Sequence, residues 1–221
     1  MSLDRQKAFS AADVEAWLAE LGVTPLERSD REGVTSWDIA LDGRRRAALR
    51  ITLILDPGLA LICWCHYAPP FNDSFRKSYR KLLRWNDEIP FIKFSIGEDE
   101  RPLLLAELPI ATVTRDDLGL ALARQVALAD RYHAETLEWL KAGGWRTSPP
   151  ADPDGPGMRL VARYSADLAE LLGDPNVASG PSGEGASDAS GPSGEGPSDG
   201  SGASDGSGAP DAPGSPDETA G

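Results

Sequence analysis

The sequence predicts an α+β domain: a curved antiparallel sheet with helices packed on it, in the order α-β-β-β-α-β-β-α, plus a disordered tail. Three observations predict it. From Thr35 to Ala68, apolar residues alternate with polar ones or run unbroken, and turn signals separate the runs. Helical periodicity falls in blocks before, between and after the strands, which is an α+β pattern and not a βαβ alternation. Beyond Gly173 the chain lacks the residues to build a core.

Each element has its own local reason. Ser10 and Asp13 form a capping-box start, and Val14, Trp17, Leu18 and Leu21 share one helical face until Gly22 stops the helix. Trp37, Ile39 and Leu41 alternate with polar or small residues. Asp42-Gly43 reads as a two-residue hairpin, because both types tolerate positive φ. Ala47, Leu49, Ile51, Leu53 and Leu55 give a second strand, and Asp56-Pro57-Gly58 a second turn. Leu59 to Tyr67 is apolar at almost every position, which suits a central strand or one covered on both faces.

Pro69-Pro70 ends this meander. A helix follows from about Asp73 to Trp85, with Phe75, Tyr79, Leu82 and Leu83 on one side. Ile92, Phe94 and Ile96 are the core positions of a strand, Gly97 to Glu100 is its turn, and Leu103 to Leu108 its partner. Asp116 or Asp117 caps a long helix whose stripe runs Leu118, Leu122, Val126, Ala129, Tyr132, Thr136 and Leu140, until Gly143-Gly144. Leu160, Tyr164, Leu168, Leu171 and Leu172 mark a short helix after a Pro/Asp/Gly linker. The expected division is therefore a domain over residues 1–146, a linker with a short helix over 147–172, and a tail over 173–221.

Charge follows the same division. The 221 residues carry a formal net charge of −13. Nine acids and no base lie beyond residue 172, which leaves 26 acids against 22 bases in the body. The tail repeats Ser179-Gly-Pro-Ser-Gly-Glu-Gly185 as residues 190–196, and such a segment cannot offset its chain entropy by burial. No apolar run is long enough to span a bilayer, and the charged start lacks a signal peptide's apolar stretch. Two cysteines cannot form a disulfide framework. These features predict a reduced, cytoplasmic protein.

The segment Leu82-Leu-Arg-Trp-Asn-Asp-Glu-Ile-Pro-Phe-Ile-Lys-Phe94 resembles the motif after the second helix of YbjN-like proteins, the bacterial sensory transduction regulators. The acidic turn, Arg101 to Pro109 and the Asp-Asp helix through Tyr132 continue the likeness, which covers roughly Ala12 to Leu140. The resemblance implies a fold similar to type III secretion chaperones, commonly homodimeric and binding segments of other proteins. It implies no enzyme, no catalytic residue and no cofactor.

Several motifs have a chemical and a structural reading. Cys63-Trp-Cys65-His66 offers zinc-ligand types, but in a strand the two thiols point one way and the imidazole the other. His133 is the only other histidine, so no closed four-ligand site is expected and no nucleophile–base motif stands out. The acid pairs Asp87-Glu88, Glu98 to Glu100 and Asp116-Asp117 read as helix ends, a loop and caps.

The basic cluster says more. Nine bases against two acids lie between Arg44 and Arg84, and Arg76, Arg80 and Arg84 stand at i, i+4, i+8 on the second helix. Such a face suits an acidic partner: a protein, a nucleic-acid backbone or the chain's own tail. Trp64 and His66 occupy the even face of the apolar strand, which needs a cover if helices take the odd face. The expected function is capture of a protein segment on that sheet face by a homodimeric adaptor or chaperone-like regulator. Trp64, Tyr67, Trp85 and Phe91 would be its contacts, with Arg76, Arg80 and Arg84 adding charge. The alternative is a nucleic-acid or acidic-partner accessory module on the Arg44–Arg84 face, gated by the acidic tail.

Overall fold

The computed structural model describes residues 9–70, 76–142 and 152–172. Among them are six strands and six helices, an α+β arrangement around one antiparallel sheet of order β1-β2-β3-β4-β6-β5. The disordered tail expected over 173–221, and the start of the second helix at 73–75, lie outside the described residues.

Helix α1 (Ala11–Glu20) opens as its residues dictate: Ser10 N and Oγ both donate to Asp13 Oδ2, at 3.0 and 2.6 Å. Gly22, at φ +70°, follows the helix end. Then comes a strand that the apolar pattern does not announce, β1 (Glu27–Arg31, sequence ERSDR). It pairs with β2 (Val34–Leu41) through a turn at Glu32-Gly33, both at positive φ as a tight two-residue hairpin requires. Its charged side chains suit a sheet edge, where they deter pairing with other chains.

Between β2 and β3 (Leu49–Leu55) the Asp42-Gly43 pair does not make a two-residue hairpin. The connection runs from Asp42 to Ala48. Asp42 Oδ1 accepts from Ala48 N at 2.6 Å, and the Asp130 carboxylate accepts from the backbone N–H groups of Arg44, Arg45 and Arg46 at 2.5, 2.8 and 3.1 Å. A distant helix thus holds the loop open, which no local turn rule foresees.

Strand β4 (Ala60–His66) pairs with β3 on one side and with β6 (Pro102–Pro109) on the other, so it is central. Helix α2 (Arg76–Glu88) leads to β5 (Lys93–Ile96), which pairs outside β6. Phe94 is buried, but Ile96, expected in the core, is half exposed at the strand's end.

Helix α3 (Arg115–Arg131) starts at Thr114, not at Asp116 or Asp117. Thr114 Oγ1 accepts from Asp117 N while Thr114 N donates to Asp117 Oδ2, a complete capping box. Asp116 instead accepts from the Tyr164 hydroxyl at 3.0 Å. The expected single helix to Leu140 breaks at Tyr132 into α3 and α4 (His133–Ala142). Thr136 Oγ1 donates back to Tyr132 O at 2.8 Å, a bond that bends helices. The last helical segment is likewise two helices, α5 (Pro156–Arg163) and α6 (Ser165–Leu172), which pack on α3 and bury Leu160, Tyr164 and Leu168. Gly119 makes room for the Tyr164 ring, since a Cβ there would lie 2.7 Å from its carbons.

The core lies between one sheet face and the helices. Gln125 of α3 reaches through it and donates from Nε2 to Cys63 O and Leu104 O, both at 2.9 Å.

Candidate functional site

Successive side chains of a strand point to opposite faces, and the register fixes which ones share a face. Cys63, Cys65, Ile51, Leu53, Leu104 and Ala106 are cross-strand neighbours on the helix-covered face. The opposite face carries Asp38, Thr52, Trp64, Leu105 and Lys93 in one row across β2, β3, β4, β6 and β5. Beside it run Ser36, Ile54, Ile62 and Glu107. The centre of this outer face is therefore apolar: Ile54, Ile62, Trp64 and Leu105 adjoin one another, and they stand apart from the core into which the helices pack.

Trp64 is half-buried by its sheet neighbours. Its ring stacks on that of His66, with centroids 6.2 Å apart and planes 10° from parallel. Trp64 Nε1 and His66 Nδ1 are shielded from water and have no hydrogen-bond partner. Next to them Leu103 is covered by the Gly97 turn, where a Cβ would come within 3.3 Å of its Cδ1. The outer face thus carries a half-buried aromatic ring among apolar neighbours.

The other expected contacts fall elsewhere. Tyr67 is 0% exposed. Its hydroxyl lies 3.2 Å from Thr136 Oγ1, its ring packs edge-on against Phe94 at 5.0 Å, and burial pushes its pKa up. Trp85 is buried too, stacked on Tyr132 at 4.0 Å and beside Phe94 and Trp139. Both are core residues with no surface to offer a partner; Tyr67 follows β4 and Trp85 lies on α2, and only packing against Phe94, Tyr132 and Thr136 buries them. Phe91 is 73% exposed, at φ +64°, with the Arg124 guanidinium over its ring at 4.6 Å. It lines a separate groove with Leu120 and Ala121.

The basic cluster divides. Arg80 and Arg84 are exposed on α2, and Lys81 lies over the Trp85 ring at 5.1 Å. Arg76 begins α2, but its side chain is outside the described residues. Arg44 and Arg45 are exposed on the β2–β3 loop, Arg50 is exposed on the outer face, and Arg46 is only 5% exposed, with its guanidinium over the Tyr67 ring.

The Cys63-Trp-Cys65-His66 segment splits across the sheet. Both thiols are fully buried on the core side, where desolvation pushes each pKa up to about 12. They are therefore neutral at physiological pH and poor as nucleophiles or metal ligands. His66 is on the other face.

Sequence reasoning finds Trp64 but misses Ile54, Ile62 and Leu105. The alternation along each strand was visible; what aligns the even positions of β3 and β4 with the odd positions of β6 is the cross-strand register, and the insertion of β6 between β4 and β5 sets it.

Residues 10–138 match the YbjN family, described as a putative bacterial sensory transduction regulator, and the chain belongs to that family. No curated protein matches the chain.

Proposed function

We propose that the chain is a non-enzymatic, protein-binding regulator that holds a partner segment against the outer face of its sheet. One observation carries this reading: the apolar row of Ile54, Ile62, Trp64 and Leu105 outside the core. Fully burying an exposed large apolar side chain is worth about 1.5–3 kcal/mol, and these four, already half-buried, can each still contribute part of that. An extended or amphipathic segment suits a pleated sheet surface with apolar side chains at its centre. A second copy of the chain is one such partner. The family's description as a regulator agrees with a binding role.

Exposed Arg80 and Arg84 favour acidic character in the partner and faster association. The same pair supports the second reading, nucleic-acid binding, which predicts affinity falling steeply with salt.

A photo-crosslinker at position 64, with a control at the exposed Lys141, tests the proposal in cells. The expected result is a discrete crosslinked protein from position 64 alone, lost on Leu105→Glu. Equal capture from both positions, or capture of nucleic acid only, would reject it.

A further inference from the structure

Where β4 ends and the β2–β3 loop returns, a cleft of about 360 Å³ opens beside the outer face. Its charged lining is one-sided: Arg46, Arg50 and Arg101, with His66. The only acid paired to any of these by an ion pair is Asp99, 2.8 Å from Arg101 Nε, among the described residues. The cleft therefore gathers three guanidiniums against the single ion-paired carboxylate of Asp99.

A second observation points to a ligand. Arg46 is a buried guanidinium with unmet bonding capacity. Its Nη2 donates to Tyr67 O, while Nε and Nη1 are buried with no hydrogen-bond partner. His66 Nδ1 is in the same condition. An unpaired buried charge is costly. Desolvation lowers the pKa of Arg46, and the neighbouring Tyr67, Cys65 and Asp130 offset that only in part. Arg50 forms no ion pair among the described residues. A structure that needed only solubility here would intersperse acids; this one gathers arginine from β3, the loop and the β5–β6 turn.

We propose that this cleft binds a small phosphomonoester. Planar guanidiniums recognise phosphate oxygens in pairs, and a dianionic phosphate matches the gathered positive charge. The rest of the ligand has a place as well. An adjoining cleft of about 250 Å³ shares Arg50, His66 and Arg101 and adds Thr52 and Asp38. Asp38 Oδ1 accepts from Thr52 Oγ1 at 2.6 Å and keeps further acceptor capacity for ligand hydroxyls. A hydroxyl-bearing monoester such as a sugar or glycerol phosphate thus places phosphate among the arginines and hydroxyls by Asp38. The site adjoins the apolar patch, since Thr52 pairs with Trp64 and the His66 ring stacks on it, so its occupancy would give a regulator a metabolite input.

The test is isothermal titration of the full chain with inorganic phosphate and with glycerol 3-phosphate, each against sodium chloride at matched ionic strength. Saturable binding of both is expected, tighter for the ester. Arg50→Gln and Arg101→Gln should each weaken it about tenfold or more, the share of one charge-assisted contact. Arg84→Gln on α2 should leave it unchanged. Arg46→Gln is avoided as the primary variant because its burial makes misfolding its first effect. Heat no different from chloride, or equal weakening by Arg84→Gln, would overturn the proposal, since either marks a general charge effect. Binding of inorganic phosphate with no gain from the ester would overturn the Asp38 subsite and leave a bare phosphate site.

Discussion

Replacing Asp130 with alanine removes the anchor of the β2–β3 loop. The carboxylate sits in the last turn of α3, where the helix dipole disfavours a negative charge. Three backbone N–H groups, from Arg44, Arg45 and Arg46, hold it there at 2.5 to 3.1 Å. A hydrogen bond to a charged acceptor is worth about 1.5–3 kcal/mol when buried. Two of these bonds are exposed and one is half-buried, and water replaces the lost acceptor in part, while relief from the helix dipole returns a few tenths. The net expectation is a loss of about 2 kcal/mol for Asp130→Ala and about half that for Asp130→Asn, which keeps one acceptor oxygen. Urea unfolding measures the loss as a lower midpoint at constant slope. Hydrogen exchange localises it: amides 44–46 should lose protection while β4 keeps its own. A variant within 0.5 kcal/mol of the parent, with amides 44–46 still protected, would refute the reasoning.

Gly157→Ala places a Cβ about 2.3 Å from the Asp42 carbonyl oxygen, a backbone atom that cannot swing away; thermal unfolding should show a loss of about 1–3 kcal/mol, as for overpacking in a core. Gln125→Leu deprives Cys63 O and Leu104 O of their Nε2 donor and should cost about 1–3 kcal/mol in the same assay. The thiols give a pH dependence. Their folded pKa, about 12, lies above the ordinary value of 9.0, so their contribution is full below pH 9 and is lost as pH rises from 9 towards 12. Alkaline destabilisation in that window should shrink in Cys63→Ala, and neither thiol should react with a disulfide reagent until urea unfolds the chain.

The sheet was legible where apolar alternation was strong. Strands β2, β3, β4 and β6 bury their odd or even set as the period-2 pattern demands. Strand β1 was not, because ERSDR has no apolar residue and owes its form to pairing with β2 and to a positive-φ turn. Asp42-Gly43 has the chemistry of a tight turn, but Asp130, far along the chain, offers its loop a better set of bonds. Helix breaks at Tyr132 and Tyr164 leave little trace in the sequence, since the apolar stripe runs through both. For the candidate site, the odd–even split of Cys63, Trp64, Cys65 and His66 follows from strand geometry alone. Tyr67 and Trp85 are aromatic like Trp64, and only tertiary packing against Phe94 and Tyr132 makes them core. The same holds for Arg46: a basic run reads as solvated surface until the loop folds it over Tyr67.

The most direct measurement is the affinity of the partner captured through position 64 for the Trp64→Ala variant, at low and high salt. The account predicts a loss of tenfold or more that persists at high salt, because a half-buried aromatic anchor on the apolar row is removed. A loss under twofold, with binding abolished instead by salt or by Arg84→Gln, would contradict it and assign the interaction to the basic face of α2.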